Sequence, residues 1–314
     1  MVSSPEGVGR IGLGLAAAGR PAYINLGHDV DQSPGLGVEQ LRRRCHELLD
    51  RAWDLGVRTV DAARSYGLAE RFLGSWLAAH AGRREQLLVS SKWGYRYVGG
   101  WRVDAEVHER KDHALAAFRE QWPMTVAELG GEPDQYLVHS VTPDSPALAD
   151  AGLLAALQRL ADGGVRVGLS TSGPRQAEVV RRALDLPSSP FRVVQSTWNV
   201  LETSAGPALA EASDAGWRVM VKEALANGRL TDRGDATGLL DAAAAAGVTP
   251  DALALRAVLE QPWATIVLSG ASTPAQLASN LGALEVGADA VARLDIVAES
   301  PGEYWRHRST LAWN

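Results

Sequence analysis

The sequence predicts a closed barrel of eight parallel strands surrounded by helices, the (β/α)8 or TIM barrel, with an N-terminal extension and a C-terminal helix or tail. Short apolar segments alternate with amphipathic helical segments along the 314 residues, and this alternation is typical of a parallel sheet. Segments such as LLVSSK and RVVQS are apolar on both faces, as are strands that are covered on both sides. An open doubly wound sheet is the alternative.

Eight apolar, β-rich segments are predicted as the barrel strands. They are Ile11–Leu15, Val57–Asp61, Gln86–Lys92, Gln135–His139, Val165–Ser170, Arg192–Ser196, Arg218–Lys222 and Thr265–Ser269. Since no linker-like break interrupts the alternation, we expect residues 1–314 to form a single barrel domain.

The helices are predicted from apolar spacing and from their end signals. Apolar residues recur at helical spacing from Val38 to Leu55, and Gly56 ends that helix. A polar cap residue closely followed by Pro predicts further helix starts at Ser172, Thr249 and Thr273. The alanine run at residues 242–246 is also expected to be helical.

A glycine pattern near the N-terminus, GVGRIG from Gly7 to Gly12, matches the G-x-G-x-x-G fingerprint of dinucleotide-binding folds. That fingerprint requires a strand before it and a capped helix after it. Six residues precede Gly7, and the following IGLGLAAAGRP does not read as a capped helix. We therefore interpret the segment as a flexible entry into the first strand.

Composition and charge exclude several classes of protein. The chain has 31 Lys and Arg against 37 Asp and Glu, a net charge of -6, which disfavours nucleic-acid binding. No apolar run approaches the roughly 18 residues of a membrane span, so no membrane partner is expected. One cysteine, Cys45, excludes an intrachain disulfide. The first residues lack the pattern of a signal peptide, and a cytoplasmic location is expected.

Ionisable residues occupy the carboxyl ends of three neighbouring predicted strands. Asp61, Lys92 and His139 each close an apolar segment, and Tyr66 follows Asp61 by five residues. In a barrel, the carboxyl ends of the strands meet at one face, where active sites lie. Each residue alone has an ordinary structural explanation, but the four together predict a site.

These residue types suit the reduction of a carbonyl group, in which oxygen gains a proton as carbon gains a hydride. A phenol has a pKa of about 10 and is a weak acid, and a nearby ammonium lowers that pKa. Asp61 would hold Lys92 in place, and Lys92 would tune Tyr66 as the acid. His139 would orient the carbonyl oxygen or relay the proton.

The chain resembles the aldo/keto reductase family from Gly12 to Asn280. DAARSYG, from Asp61 to Gly67, is similar to the family's D-T-A-x-x-Y-G segment, and the Asp, Tyr, Lys and His tetrad matches in order. The resemblance implies an oxidoreductase that binds a nicotinamide cofactor in an extended form, NADP being favoured and NAD possible. Its substrate would be a small carbonyl compound, or the matching alcohol or sugar.

The resemblance also implies a set of cofactor-binding residues. Those that match the family's motifs or stand in its loops are Ser170, Thr171, Gln195, Lys222, Leu225, Asn227, Gly270, Ser272, Gln276 and Asn280. The start of the helix at Thr273 would offer backbone N–H groups to the adenosine phosphate.

The chain departs from the family at several of these positions. Lys222-Glu223-Ala224 replaces the segment whose Tyr stacks on the nicotinamide, Thr171 replaces an Asn, and Ser279 replaces a Glu. An Arg for the 2′-phosphate is missing near Gln276, which weakens the case for NADP over NAD.

Two further segments exceed the plain barrel plan. The loop Trp93–Arg110 is expected to border the substrate pocket, and Trp93, Tyr95, Tyr97 and Trp101 either form its wall or pack the loop onto the barrel. The tail Leu294–Asn314 is expected to help shape the same pocket.

The sequence bears on three other functions: a cofactor-binding sensor, a Schiff-base lyase and a metal hydrolase. A cofactor-binding sensor without enzymatic activity is kept open by the changes at Lys222 and Glu223. A lyase with Lys92 as a Schiff base is disfavoured, because an adjacent Asp61 should raise the lysine pKa. A metal hydrolase is disfavoured and no metal site is predicted, since the seven histidines do not fall at H-x-H or H-x-x-x-H spacing.

Overall fold

The computed structural model describes residues 7–31 and 36–313, and their strands close into a parallel barrel. The strands are β1 (Ile11–Gly14), β2 (Thr59–Asp61), β3 (Leu88–Trp93), β4 (Tyr95–Tyr97), β5 (Glu109–Lys111), β6 (Gln135–Val141), β7 (Arg166–Thr171), β8 (Val193–Thr197), β9 (Arg218–Lys222) and β10 (Ile266–Ser269). The barrel order is β1-β10-β9-β8-β7-β6-β3-β2, and β4 and β5 form a separate antiparallel hairpin. The predicted (β/α)8 fold and all eight predicted strands are confirmed.

Helices surround the barrel and occupy its loops. The α-helices are α1 (His28–Asp31), α2 (Val38–Asp54), α3 (Ala69–Ala79), α4 (Leu115–Leu129), α5 (Ala151–Asp162), α6 (Gln176–Leu184), α7 (Gly206–Asp214), α8 (Thr237–Ala246), α9 (Pro250–Leu259), α10 (Pro274–Leu281), α11 (Ala288–Val291) and α12 (Pro301–Thr310). The helix predicted from Val38 and the helical alanine run are confirmed.

The helix starts show where cap signals suffice. The Thr249 and Thr273 hydroxyls cap α9 and α10 by accepting the N–H groups of Ala252 and Gln276, so both predicted starts are confirmed. The start predicted at Ser172 is wrong, because α6 begins at Gln176. Gly173 has a φ of 90°, a left-handed conformation that cannot belong to a right-handed helix.

Two sets of apolar residues hold the barrel together. Along β6, Tyr136 and Val138 belong to the large cluster between strands and helices, and Leu137 belongs to a separate cluster. The alternation shows that Leu137 faces the barrel interior. Its partners there come from other strands and are Val193, Met220, Ile266 and Leu268.

The N-terminal glycine pattern does not build a dinucleotide-binding turn. Residues Val8–Arg10 form one turn of 3-10 helix, and β1 then begins at Ile11 and contains Gly12. The interpretation of this segment as an entry into the first strand is confirmed.

No single helix among the described residues is long and apolar enough to cross a membrane. Taken together, α8 and α9 are long and apolar enough, but the two helices meet at an angle of 95°.

The loop after β1 packs closely on the turn that carries Tyr66. The Leu68 N–H donates to the Gly19 carbonyl at 2.8 Å, and a Cβ at Gly19 would lie 2.2 Å from the Tyr66 carbonyl oxygen. Only glycine allows this approach.

We expect Gly19→Ala to destabilise the protein by roughly 1–3 kcal/mol, because backbone must move to admit the methyl group. Chemical denaturation measures the change. Gly131→Ala is the control, since a Cβ there meets nothing within 4 Å. Equal stability of the two variants would contradict the tight packing between the β1 loop and the Tyr66 turn.

Candidate active site

Four side chains meet at the carboxyl ends of β2, β3 and β6. The Lys92 Nζ lies 2.5 Å from Asp61 Oδ2, and the two side chains are 0% and 3% exposed. The same Nζ lies 4.9 Å from the centre of the Tyr66 ring. The Tyr66 and His139 rings meet edge to face, with centroids 5.5 Å apart. The structure therefore brings together all four residues that the sequence singled out.

Backbone hydrogen bonds fix these side chains relative to one another. Beyond the end of β2, the Arg64 N–H donates to the Lys92 carbonyl at 2.9 Å, which extends the β2–β3 pairing toward Tyr66. In β6, the register shifts between Val138 and Val141, and Ser140 has a φ of 53°. Such an irregularity redirects a side chain at the end of a strand, and His139 lies within it.

Burial controls the protonation of three of the four residues. Burial raises the pKa of Tyr66 well above 10, and the carboxylate of Asp61 acts in the same direction. The expected lowering of this pKa by Lys92 is therefore not the net effect. Burial also lowers the pKa of Lys92, although Asp61 opposes it. Burial, together with the charges of Lys92 and Lys222, lowers the pKa of His139 well below 6.5.

A cavity of about 580 Å3 runs from the tetrad across the barrel mouth. Asp61, Tyr66 and His139 line one end of it. The far end of the cavity is the part that is lined by residues from segments 231–233, 249–251 and 268–280. In the described residues, no group of three or more His, Cys, Asp or Glu is placed to hold a metal ion.

Two buried oxygen atoms along the cavity lack a hydrogen-bond partner. Gln195 is 1% exposed, and its Nε2 donates to Asp61 Oδ1 at 3.1 Å while its Oε1 has no partner. The Oδ1 of Asn227 is also unpaired, although its Nδ2 donates to the Ile24 carbonyl at 2.8 Å. An unpaired buried acceptor is costly, so both atoms indicate a ligand that donates hydrogen bonds. A nicotinamide carboxamide fits the Gln195 acceptor beside the tetrad.

The other residues implied by the resemblance divide into two groups. Those that line the cavity with Gln195 and Asn227 are Lys222, Leu225, Gly270, Gln276 and Asn280. Ser170, Thr171 and Ser272 are not among the lining residues that the structure describes.

These three residues hydrogen bond within the protein. Ser170 Oγ accepts the Ser140 N–H at 2.7 Å, and Thr171 Oγ1 lies 2.7 Å from Ser196 Oγ. Ser272 donates through its N–H and hydroxyl to Gln276 Oε1, at 2.9 and 3.1 Å. Their expected contacts with a cofactor stay a prediction, since a hydroxyl that makes one of these bonds still has further hydrogen-bonding capacity.

A buried ion pair stands where the family has its stacking tyrosine. Glu223 accepts two hydrogen bonds from Arg308 of α12, Nε to Oε2 at 2.8 Å and Nη2 to Oε1 at 2.5 Å. The Lys222 Nζ donates to Thr197 Oγ1 at 2.8 Å and lies 3.6 Å from Glu223. Although burial opposes the change, Arg308 and Lys222 lower the pKa of Glu223 to about 2. Burial lowers the pKa of Lys222 to about 8.

A second ion pair lines the cavity near Tyr66. Arg20 is 2% exposed, and its Nη1 lies 2.6 Å from Glu109 Oε1 at the start of β5. Its guanidinium lies over the rings of Tyr66 and Trp313, 5.3 and 4.8 Å from their centroids. Sequence reasoning missed Arg20, Glu109 and Arg308. Arg20 follows β1, a position that itself points to the active face, whereas nothing in the sequence reveals the partners of Glu109 and Arg308.

The loop after β3 contributes differently from what was expected. Of the four proposed wall residues, Tyr95 lines the cavity, with its ring 5.1 Å from that of His139. Trp93 is fully buried against Phe118, and Tyr97 packs edge to face on Trp101. These three residues fit the packing alternative. From the C-terminal tail, Arg308 and Trp313 line the cavity as expected, whereas Asn314 lies outside the described residues.

The barrel and the contents of its mouth define a class of protein, the oxidoreductases built on a (β/α)8 barrel. The aldo/keto reductase family model matches residues 39–299. The chain belongs to the aldo/keto reductase family, which confirms the resemblance seen in the sequence.

Relatives and solved structures agree with this assignment. Protein tas of Escherichia coli and that of Shigella flexneri are each 25% identical to the chain over 83% of its length and 91% of theirs. A putative aldo-keto reductase from Pseudomonas aeruginosa has a TM-score of 0.64 at 23% identity, covering 88% of this chain and 90% of that one. The holo form of the aldo-keto reductase AKR11C1 from Bacillus halodurans has a TM-score of 0.65 at 21% identity, covering 96% and 92%. The two structures share the barrel fold.

We expect Arg308→Met to cost about 3–5 kcal/mol of stability, because it leaves the Glu223 carboxylate buried without its main partner. Chemical denaturation measures the loss. Arg102→Met is the control, since the pair of Arg102 with Asp104 is 67% and 78% exposed and such pairs contribute about 0–1 kcal/mol. A similar loss in both variants would contradict a special role for the buried pair.

The pair should also make stability depend on acid. The Glu223 pKa is about 2 in the folded protein and 4.5 in the reference state, so its ionised form stabilises the fold fully above pH 4.5. That contribution is lost as the pH falls from 4.5 toward 2. We expect the stability difference between wild type and Glu223→Gln to shrink over this interval in denaturation curves. A constant difference would show that Glu223 is not ionised in the fold.

Proposed function

We propose that this aldo/keto reductase reduces a small aldehyde or ketone with a nicotinamide cofactor, or oxidises the matching alcohol or sugar. The observation that carries the proposal is the contact of Tyr66 and His139 beside the buried Lys92–Asp61 pair. The cofactor, when bound, supplies or accepts the hydride. NADP is the form that family resemblance favours.

Tyr66 is the proposed general acid and base. Its raised pKa keeps the phenol protonated near neutral pH, which is the state needed to donate a proton to a carbonyl oxygen. As the proton leaves, negative charge develops on the Tyr66 oxygen. The Lys92 ammonium is held by Asp61 and by the Ala62 carbonyl at 2.8 Å. It lies 4.9 Å from the centre of the Tyr66 ring and would stabilise this charge.

His139 is the proposed positioning group for the carbonyl oxygen. Its lowered pKa keeps the ring neutral, so it has one N–H to donate. Its Nδ1 lies 3.4 Å from Ser65 Oγ. When that hydroxyl donates to Nδ1, the ring proton is on Nε2, the atom that then offers a hydrogen bond to the substrate.

Residues of the cavity would hold the cofactor. Gln195 would accept from the carboxamide through its unpaired Oε1, and Asn227 would accept a donor farther along the cavity. Leu225, Gly270, Gln276 and Asn280 would form the walls that follow. The proposed location of the enzyme is the cytoplasm, which rests on the sequence alone.

Lys92 does not suit the alternative of Schiff-base chemistry. Its Nζ is fully buried and donates to Asp61 and Ala62. Burial lowers the pKa of Lys92 although Asp61 acts to raise it, so the expected net rise is wrong. The amine is nevertheless buried beyond the reach of a substrate carbonyl.

We expect Tyr66→Phe to lower turnover by at least roughly 100-fold, because a general acid contributes about 10²–10⁴ in rate. Its affinity for the reduced cofactor should change by less than about threefold, since the hydroxyl is not a proposed cofactor contact. Cofactor oxidation with a panel of aldehydes and ketones gives the rate, and quenching of tryptophan fluorescence gives the affinity.

Tyr97→Phe is the matched control, because Tyr97 is not among the described residues that line the cavity. Full activity of Tyr66→Phe would remove Tyr66 as the acid. A wild type that binds the cofactor but reduces no compound of the panel would favour the sensor instead.

A further inference from the structure

The far end of the cavity carries acidic rather than basic groups. Asp232 and Asp251 line it, and Asp251 Oδ2 accepts Asn280 Nδ2 at 2.9 Å. Asp31 lies beside it, 8% exposed, and accepts Gln276 Nε2 at 2.6 Å. If the nicotinamide lies at the tetrad, the adenosine half of an extended dinucleotide lies among these carboxylates.

Basic side chains do not balance these charges. Arg233 is the one Lys or Arg among the described residues that line the far end. Its Nη1 and Nη2 bind both oxygens of Asp31, at 2.8 and 2.7 Å. The segment GASTPAQLASN, residues 270–280, contains neither Lys nor Arg.

Several neutral donors near the start of α10 are also taken. The Ser272 N–H and hydroxyl both donate to Gln276 Oε1, and the Gln276 N–H is capped by Thr273. Gln276 Nε2 donates to Asp31, and Pro274 has no N–H. A phosphate at this helix start would therefore find several of the donors already used and a carboxylate nearby.

We propose that the far end selects NAD(H) over NADP(H), with Asp31 as the residue that determines this specificity; the inference rests on the proposed function. A 2′-phosphate adds a charge of about -1.5 to -2 at neutral pH, and Arg233, the cation described here, already pairs with Asp31. The ribose of NAD(H) offers hydroxyl donors instead, which carboxylates accept. The proposal replaces NADP, the form that the resemblance favours.

The proposal is tested on the full chain, without substrate, by titrating it with NADH and with NADPH in a calorimeter. We expect NADH to bind at least about tenfold tighter than NADPH. Asp31→Asn should narrow this ratio by raising the affinity for NADPH. The variant removes a negative charge and weakens the ion pair that occupies Arg233. Asp185→Asn, an exposed carboxylate after α6, is the control and should leave the ratio unchanged.

A second variant keeps the test valid if Asp31→Asn fails to fold. Ala275 is exposed and lines the far end, so Ala275→Arg adds a cation there and should tighten NADPH relative to NADH. NADPH binding as tightly as NADH, or tighter, in the wild type would overturn the specificity and leave the proposed function standing. Failure of both dinucleotides to bind would overturn both proposals.

Discussion

The buried pair of Lys92 and Asp61 is the interaction on which the candidate site depends. Removing two charges from water is costly, and the cost is recovered only when geometry and further hydrogen bonds are good. Here the Lys92 Nζ also donates to the Ala62 carbonyl, and Asp61 Oδ1 accepts Gln195 Nε2. The pair thus ties β2 to β3 and β8. It sets the distance of Lys92 from the Tyr66 ring, and it holds the Gln195 amide so that its Oε1 is left without a protein partner.

The barrel and the tetrad could be predicted because they depend on local patterns. Each strand is a continuous apolar segment, and Asp61, Lys92 and His139 stand at the ends of such segments. Their meeting follows from the topology alone. Predicted bounds differ from the observed ones by at most two residues, since strand ends depend on pairing rather than on apolar content.

The remainder of the site could not be predicted because it depends on contacts between distant segments. Arg308 reaches Glu223 across 85 positions, and Arg20 reaches Glu109 across 89. The sequence around Arg308 resembles that of a solvated surface residue, and the position of Arg20 after β1 points to the active face but not to Glu109. The net shift in the pKa of Tyr66 does not follow from the sequence, because the sequence reveals the nearby ammonium but not the extent of burial. Ser170 and Thr171 matched the family's motif, but their hydroxyls bond to Ser140 and Ser196.

The C-terminal helix adds charged side chains and support to a cavity that is otherwise built by the strand ends and their loops. α12 supplies Arg308 to Glu223, and its Tyr304 hydroxyl accepts Asn199 Nδ2 at 3.0 Å. Asn199 also donates to the Glu223 carbonyl. The helix therefore holds Glu223 at its side chain through Arg308 and at its backbone through Tyr304 and Asn199. Glu223 has a φ of 53°, a conformation that costs free energy for a residue with a side chain and needs such support. The loop after β9 is therefore set by a helix that begins about 80 residues later. The charges along the cavity consequently depend on tertiary contacts of the tail, while the tetrad depends on the barrel.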